Sequence, residues 1–329
     1  MLTTFLATLN PILTLFICMA VGFVARKTNI LPENAGKVMA KLETWIFCPA
    51  LSFSTMAHNC TVDTIGKHAI NILFGAVCAG LGIGIAILLG RVLVRKKCAE
   101  QGVYMYALAF ANGGYFGDPL VLALFGSETL SYYKLFYLPI SVMIYTWGIS
   151  KLVPKDKMSG GLLGMLLNPP TLAMFLGIAA GLTGLGAYLP SPIASSLDSL
   201  KGCMGPTAML LAGFTVASYD MKRMLINKKV YIATALRLVI LPAAQLTLLF
   251  GFRELLNAVF GLQIGNVPLF LAFFSAASPL GLNTVVFPEA YGGNPETGAS
   301  MALVSHTLCV ITIPIMYALA VTVFGPISM

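Results

Sequence analysis

The feature that most constrains how this chain can fold is a glycine-rich break, containing an acid and a proline, at residues 111–120. The stretch reads Ala-Asn-Gly-Gly-Tyr-Phe-Gly-Asp-Pro-Leu and interrupts an otherwise apolar segment. Backbone groups without helical partners are costly in hydrocarbon, so an unwound stretch at membrane depth persists only where it lines a cavity or is buried in protein. A second break, at residues 278–288, reads Ser-Pro-Leu-Gly-Leu-Asn-Thr-Val-Val-Phe-Pro. Two broken helices in corresponding positions of two halves indicate the binding site of a transporter.

The composition indicates an integral membrane protein. Of the 329 residues, 58% are hydrophobic and 10% are charged, against about 25% charged residues in a soluble domain. A membrane-spanning helix needs about 20 residues, and the apolar runs predict ten such helices with short connections and no soluble domain. The predicted helices are 5–25, 36–57, 69–90, 102–126 (broken), 130–152, 167–187, 197–218, 229–250, 267–291 (broken) and 299–324.

The basic residues predict how the chain is oriented in the lipid bilayer. The formal net charge is +8, but Lys and Arg lie in short loops and form no continuous basic face, so no nucleic-acid partner is predicted. The even-numbered loops carry little beyond Lys67 and Arg253, so the odd-numbered loops are predicted to be cytoplasmic and both termini outside a cell (inner) membrane. Arg26 and Lys27 follow the first apolar run and none precedes it, which predicts a retained helix rather than a cleaved signal peptide.

Short motifs recur in the two halves of the chain. Leu-Asn-Pro at residues 9–11 opens the first predicted helix and recurs at residues 167–169, where it opens the sixth. An aromatic residue followed by glycine ends each break, at residues 125–126 and 291–292. Five helices per repeat is an odd number, so the second repeat would be inverted relative to the first.

The predicted fold is therefore an all-α integral membrane protein with ten transmembrane helices in two inverted five-helix repeats. The first repeat covers residues 1–153, a short cytoplasmic linker covers 154–161, and the second repeat covers 162–329. Inversion lets the broken helices 4 and 9 cross near the membrane midplane. Their N-terminal ends would favour an anion, and their C-terminal carbonyls would favour a cation.

Polar residues and glycines at the two breaks are the candidates for substrate contact. Amides and hydroxyls there would contact a carboxylate or would satisfy the loosened backbone, and the sequence leaves both interpretations open. Glycine would let the backbone approach a ligand closely. These candidates are Asn112, Gly113, Gly114, Ser278, Pro279, Asn283 and Thr284.

Asp118, Ser305 and His306 are the candidates for coupling to an ion. A carboxylate at membrane depth usually marks an ion or proton path, although Asp118 before a proline is also an ordinary helix start. His306 would carry a proton or would simply be hydrogen-bonded among hydroxyls. No firm metal site or cofactor is predicted, because the seven cysteines have no metal-ligand spacing. A sodium ion would find oxygen ligands at Asn112, Asp118 and Ser305.

The residues at the two breaks, 112–120 and 278–293, resemble the crossover segments of the auxin efflux carrier family. The resemblance covers nearly the whole chain, and the short linker suits a bacterial member. It implies a fold related to the bile acid sodium symporters, organic-anion substrates such as auxin, malate or malonate, and a possible homodimer. One departure is that the family's crossovers favour Asn-Pro pairs, whereas Asn112 precedes Gly113.

The sequence thus predicts a secondary active transporter for a small organic anion, working by alternating access, proton-linked and without enzymatic activity. The alternative is a sodium-coupled symporter for the same class of anion. A distant alternative is an intramembrane aspartyl protease, because Tyr219-Asp220 and Gly117-Asp118 resemble that family's paired aspartates. Against it, Tyr115 stands where the second motif requires glycine.

Overall fold

The structure is a computed structural model that describes residues 2–95, 98–154 and 168–325. Apart from one isolated backbone bridge, the described residues form helices and their connections. The helices are α1 (Leu2–Lys27), α2 (Ala35–Leu42), α3 (Cys48–Asn59), α4 (Val62–Leu93), α5 (Ala99–Ala109), α6 (Asp118–Met143), α7 (Ile149–Leu152), α8 (Pro169–Leu182), α9 (Ser191–Ala217), α10 (Met221–Ile226), α11 (Lys228–Ala235), α12 (Leu241–Phe260), α13 (Val267–Ala277), α14 (Asn283–Tyr291) and α15 (Glu296–Phe324).

The described residues include six helical stretches that are long and apolar enough to cross a membrane, and α8 and α13 are shorter apolar helices. This confirms the prediction of an all-helical, multi-pass membrane protein. The six stretches are Leu9–Lys27, Ala69–Leu93, Gly113–Leu152, Ser191–Ala217, Lys228–Phe260 and Glu296–Phe324. Residues 155–161 of the predicted linker, and Leu167 of the repeated motif, lie outside the described residues.

Several helix ends differ from their predicted positions for local reasons. The helix α4 begins at Val62 rather than near residue 69, because the Thr61 hydroxyl accepts a hydrogen bond from the Thr64 N–H and caps a polar first turn. The helix α12 continues to Phe260 rather than to residue 250, and ends where Gly261 takes a left-handed conformation. Pro11 lies inside α1, not at its start.

Prolines produce wide π-helical turns at three places in the chain. The turns Glu43–Phe47, Gly113–Gly117 and Leu236–Ile240 are each followed by a proline at the second position of the next helix. Proline has no N–H, and its ring clashes with the carbonyl four residues earlier, so the preceding turn widens. All three turns include or adjoin a charged residue within an apolar helix. Each turn therefore changes the direction in which that charged side chain points.

The helices form two bundles. In the first bundle α1 packs on α9, and α3 packs on both α8 and α9. In the second bundle α4 packs on α5, α6, α12 and α13. Small residues allow the close approach of α1 and α9, since a side chain at Gly213 would overlap the backbone of Met19, and one at Gly22 would overlap Leu210.

We expect Gly213→Ala to destabilise the protein and Gly202→Ala in the same helix to leave its stability unchanged or slightly higher. The added methyl group at residue 213 would push α9 away from the α1 backbone, at a cost of roughly 1–3 kcal/mol. A methyl group at residue 202 meets no atom within 4 Å and improves helix propensity. Thermal unfolding of the two detergent-purified variants measures the difference. Equal unfolding temperatures would contradict the tight α1–α9 contact.

Candidate functional site

The two chain breaks lie directly against each other. The Asn112 N–H donates a hydrogen bond to the Pro279 carbonyl over 2.8 Å, and Ala111 and Leu280 form an antiparallel bridge. The Leu280 N–H donates to the Ser305 hydroxyl oxygen over 3.2 Å. Through these hydrogen bonds, backbone groups that the interrupted helices leave free gain partners. An unwound segment of chain is stable in an apolar environment only when its backbone groups have such partners.

Two helix N-termini face one cavity beside this crossing. In the turn Gly113–Gly117, the N–H groups of Phe116 and Gly117 donate hydrogen bonds to the Asn112 carbonyl. The N–H groups that precede them in the turn have no partner within the helix. The helix α14 begins next to the same cavity, with Leu282 before its first residue. Such helix ends attract negative charge.

The cavity lies between the two bundles, and the empty space within it, counted out to its open side, is about 620 Å³. The space within it that the centre of a water molecule can reach is about 60 Å³. Its walls combine hydroxyl, amide and charged groups with apolar ones. The polar lining residues are Ser52, Asn112, Tyr115, Asp118, Lys134, Tyr137, Ser141, Tyr145, Thr171 and Asn283.

Asp118 and Lys134 form a buried ion pair in the cavity wall. The Lys134 ammonium donates to Oδ2 of Asp118, whose other oxygen, Oδ1, has no hydrogen-bond partner. The Asp118 side chain is 0% exposed and the Lys134 side chain is 9% exposed. Asp118 is a candidate from the sequence alone, whereas Lys134 is not. The available signal was a lysine well inside the predicted helix 130–152, because charges inside such helices are rarely incidental.

Two asparagines from the two breaks also line the cavity. Asn112 Nδ2 lies 3.0 Å from His306 Nε2, and His306 Nδ1 lies 2.8 Å from the Ala302 carbonyl. Since a carbonyl only accepts, Nδ1 carries the proton and Nε2 accepts from Asn112. Asn283 Nδ2 lies 2.8 Å from the Tyr106 hydroxyl. That hydroxyl can also donate, so reversing the Asn283 amide would turn its NH₂ group into the cavity.

Other predicted site residues support the crossing rather than line the cavity. The Ser278 hydroxyl donates to the Phe274 carbonyl, and the Thr284 hydroxyl donates to the Gly281 carbonyl. Gly113 is buried beside Tyr133, which donates to the Gly113 carbonyl over 3.2 Å. Gly114, Asn112, Asp118 and Asn283 line the cavity, whereas Gly113, Ser278, Pro279, Thr284, Ser305 and His306 are absent from its walls.

Arg237 bonds to the C-terminal ends of two half-helices. It lies in the turn Leu236–Ile240 and is 2% exposed. Its guanidinium donates to the Leu108 carbonyl at the end of α5 over 2.9 Å, and to the Ser275 carbonyl at the end of α13 over 3.5 Å. Helix C-termini carry partial negative charge, so a buried cation is stabilised there. This role of Arg237 is not predicted from the sequence.

Glu43 is not where the sequence placed it. From the sequence alone, Glu43 and Glu289 lie toward the cytoplasmic ends of their predicted helices, where their side chains are expected to reach water. Glu289 is only partly buried. For Glu43 the prediction is wrong, because its side chain is 0% exposed and neither carboxylate oxygen has a hydrogen-bond partner. The π-helical turn before Pro49 directs it toward the Ala208 backbone of α9.

A model of the membrane transport protein family matches residues 7–317 of this chain. The chain belongs to that family. This family is the auxin efflux carrier group that the motifs at the two breaks resemble, and its members are transporters rather than enzymes. The Asp118 side chain of this transporter is paired with Lys134, and Asp220 is an exposed helix cap. The aspartyl protease alternative is therefore wrong.

Relatives of the transporter align along most of its length. An uncharacterized transporter of Methanocaldococcus jannaschii is 25% identical over 311 residues, which is 93% of this chain and 96% of that protein. A Rhizobium meliloti protein named "Putative malonate transporter" is 24% identical over 306 residues, 88% of this chain and 90% of that protein. An uncharacterized transporter of Methanothermobacter thermautotrophicus is 23% identical over 262 residues, 76% of this chain and 82% of that protein.

We expect Lys134→Met to destabilise the transporter more than the double variant Asp118→Asn with Lys134→Met. Removing one partner of a buried ion pair leaves the other charge uncompensated, at about 3–5 kcal/mol, whereas two neutral side chains leave no such charge. Thermal unfolding of both variants in detergent measures the difference. If the double variant is no more stable than Lys134→Met, the two groups are not a coupled pair.

Proposed function

We propose that this chain is a secondary active transporter for a small organic carboxylate, which binds in the cavity beside the crossed breaks. The observation that carries the proposal is the convergence of one ammonium group and two helix N-termini on a single cavity. The substrate carboxylate would accept hydrogen bonds from Lys134 and from the free amides near Gly114. Asn283, Ser52 and Thr171 would bind the rest of the molecule.

A dicarboxylate fits this arrangement best, because donors are distributed over both bundles. Lys134 and Gly114 belong to the second bundle, whereas Ser52 and Thr171 belong to the first. The name of the Rhizobium meliloti relative points to malonate, a dicarboxylate. Binding between the bundles supports alternating access, in which one bundle moves against the other around the ligand.

The wider architecture is part of the same proposal. We infer ten membrane spans in two inverted five-helix repeats, joined at residues 154–161, with both termini outside the cell membrane. The antiparallel bridge between Ala111 and Leu280 supports it, because inverted repeats bring their breaks together in opposite directions. A homodimer is compatible with this arrangement, and chemical cross-linking in membranes would test it.

We expect purified protein in liposomes to take up malonate or malate, and Lys134→Gln to weaken the apparent affinity by about tenfold or more. A hydrogen bond to a charged group contributes about 1.5–3 kcal/mol. Uptake of labelled malonate, malate and indole-3-acetate measures this. Lys151→Gln is the matched control, because Lys151 packs 5.2 Å from the Trp147 ring and is not in the cavity wall.

If the liposomes take up none of these acids, the assignment of an organic anion as the substrate is wrong. If uptake occurs but Lys134→Gln binds as tightly as Lys151→Gln, the site lies elsewhere in the protein.

Proton coupling is favoured over sodium coupling by the position of Arg237. A sodium ion at the crossing would use the carbonyls at helix C-terminal ends, and the guanidinium already bonds to those of Leu108 and Ser275. The sodium alternative therefore depends on Asn112, Asp118 and Ser305. Of these, Asp118 is paired with Lys134 and the Ser305 oxygen accepts from Leu280.

We expect uptake driven by a proton gradient to be unchanged when sodium is replaced by choline. The fixed charge of Arg237 supplies the cation that the helix ends require, so no external cation is needed there. Initial uptake rates in paired sodium and choline buffers test this. A strict sodium requirement would favour the symporter alternative for the same substrate.

A further inference from the structure

We propose that the Glu43 carboxyl group is the proton-binding site that couples anion transport to proton movement. The proposal rests on the proposed function and adds to it a site in the first bundle. The candidates from the sequence, Asp118 and His306, both have partners in the structure. Glu43 is a buried acid whose carboxylate oxygens make no hydrogen bond of normal geometry.

The first step is the isolation of the Glu43 carboxylate. Its side chain is fully buried, and although the Ala208 backbone of α9 is close to it, neither carboxylate oxygen accepts a hydrogen bond of normal geometry. An ionised carboxylate without a cation or hydrogen-bond donors is far less stable in an apolar interior than the neutral acid. Glu43 therefore holds a proton in the conformation described here.

Among the described residues, the ionisable groups around Glu43 do not supply a compensating positive charge. Cys48 and Tyr115 are within electrostatic range and are both neutral acids. The helices packed on the turn carry charges that lie toward solvent or pair with each other, and α8 has no ionisable residue. Those charged or basic side chains are Lys37 and Lys41 in α2, His58 in α3, and Asp198 and Lys201 in α9.

Glu43 is nevertheless connected to the substrate cavity. The Cys48 thiol lines the cavity and interacts electrostatically with Glu43, Asp118 and Lys134. Tyr115, from the first break, lines the same cavity and is within range of Glu43. The acid thus lies behind the cavity wall, where a bound anion affects its proton through a low-dielectric interior.

Charge balance links the proton to the anion. Asp118 and Lys134 neutralise each other, and Arg237 faces two helix C-termini that carry roughly half a negative charge each. The empty site is thus near neutrality when Glu43 is protonated. A bound carboxylate adds negative charge, so the loaded site retains the Glu43 proton still more strongly. By linkage, the proton and the anion favour each other's binding.

The position of Glu43 also provides a route for proton release. Its turn packs on α9 within the first bundle, and Tyr115 belongs to the second bundle. Movement of one bundle against the other would change the distance between Glu43 and Tyr115 and admit water to the acid. The proton would then leave on the side where the anion is released, which makes the protein a symporter of protons and the anion.

The test compares Glu43→Gln with Asp118→Asn and with Glu289→Gln, a control that removes a partly buried carboxyl group. Infrared spectra of the purified proteins at neutral pH should show a protonated carboxylic acid band in the wild type. The band should disappear in Glu43→Gln and persist in Glu289→Gln. Glutamine matches the size of the neutral acid, so the variant is expected to fold. A spectrum in which Glu43→Gln removes no such band overturns the proposal.

The second measurement follows protons when malonate is added to protein in weakly buffered detergent solution. The measurement is made at the alkaline pH at which half of the infrared band of the ligand-free wild type is lost, because a carboxyl group that is already protonated cannot take up a proton. At that pH we expect the wild type and Glu289→Gln to take up protons on binding malonate, and Glu43→Gln to bind malonate without proton uptake. In liposomes that are alkaline inside, Glu43→Gln should equilibrate malonate but not accumulate it. Proton uptake that persists in Glu43→Gln and disappears in Asp118→Asn would overturn the proposal and assign the proton to Asp118.

The failure of the proposal and the failure of the proposed function are distinguishable. If the wild type binds none of the carboxylates, the proposed function is wrong, and the infrared band still decides whether Glu43 holds a proton. If the wild type binds and transports malonate but takes up no proton, the carboxylate assignment stands and the role of Glu43 is wrong.

Discussion

The structure depends on how the backbone groups at two helix breaks are satisfied inside an apolar protein. Each break frees carbonyls at one end and amides at the other. The carbonyls at the ends of α5 and α13 bond to the buried guanidinium of Arg237, whereas the amides at the start of the turn Gly113–Gly117 face a cavity. The helix N-termini, which carry partial positive charge, therefore remain free to bind a ligand, whereas the helix C-termini, which carry partial negative charge, do not. This asymmetry makes an anion the better occupant.

Prolines determine where the buried charges point. Pro49, Pro119 and Pro242 each widen the preceding turn, and these turns hold or adjoin Glu43, Asp118 and Arg237. A regular helix would rotate each of these residues to a different face. The same local irregularity thus turns one acid toward α9, one acid toward Lys134 and one base toward two helix ends.

The sequence was sufficient for the breaks and for part of the site, because their signals are local. Glycine, proline and an acid within ten apolar residues located the cavity wall at Asn112 and Asp118. Lys134 and Arg237 could not be assigned partners, since both bond to residues distant in the chain. Glu43 was misplaced because a π-helical turn shifts the helical face and leaves no clear mark in the hydrophobic pattern. The hydroxyls of Ser278 and Thr284 bond to nearby backbone, an alternative that the sequence had left open.

The contacts within and between the bundles differ in kind, and this difference favours motion between them. Inside the first bundle, glycines bring helices into backbone contact, as at Gly213 against Met19 and Gly177 against Phe53. Such contacts have no side chain that can change rotamer, so the helices move together. The bundles meet at the cavity through side chains. A ligand that adds polar contacts to both walls can therefore change their separation without unpacking either bundle. The buried charges of Asp118 and Lys134 remain paired during such a movement because both belong to α6.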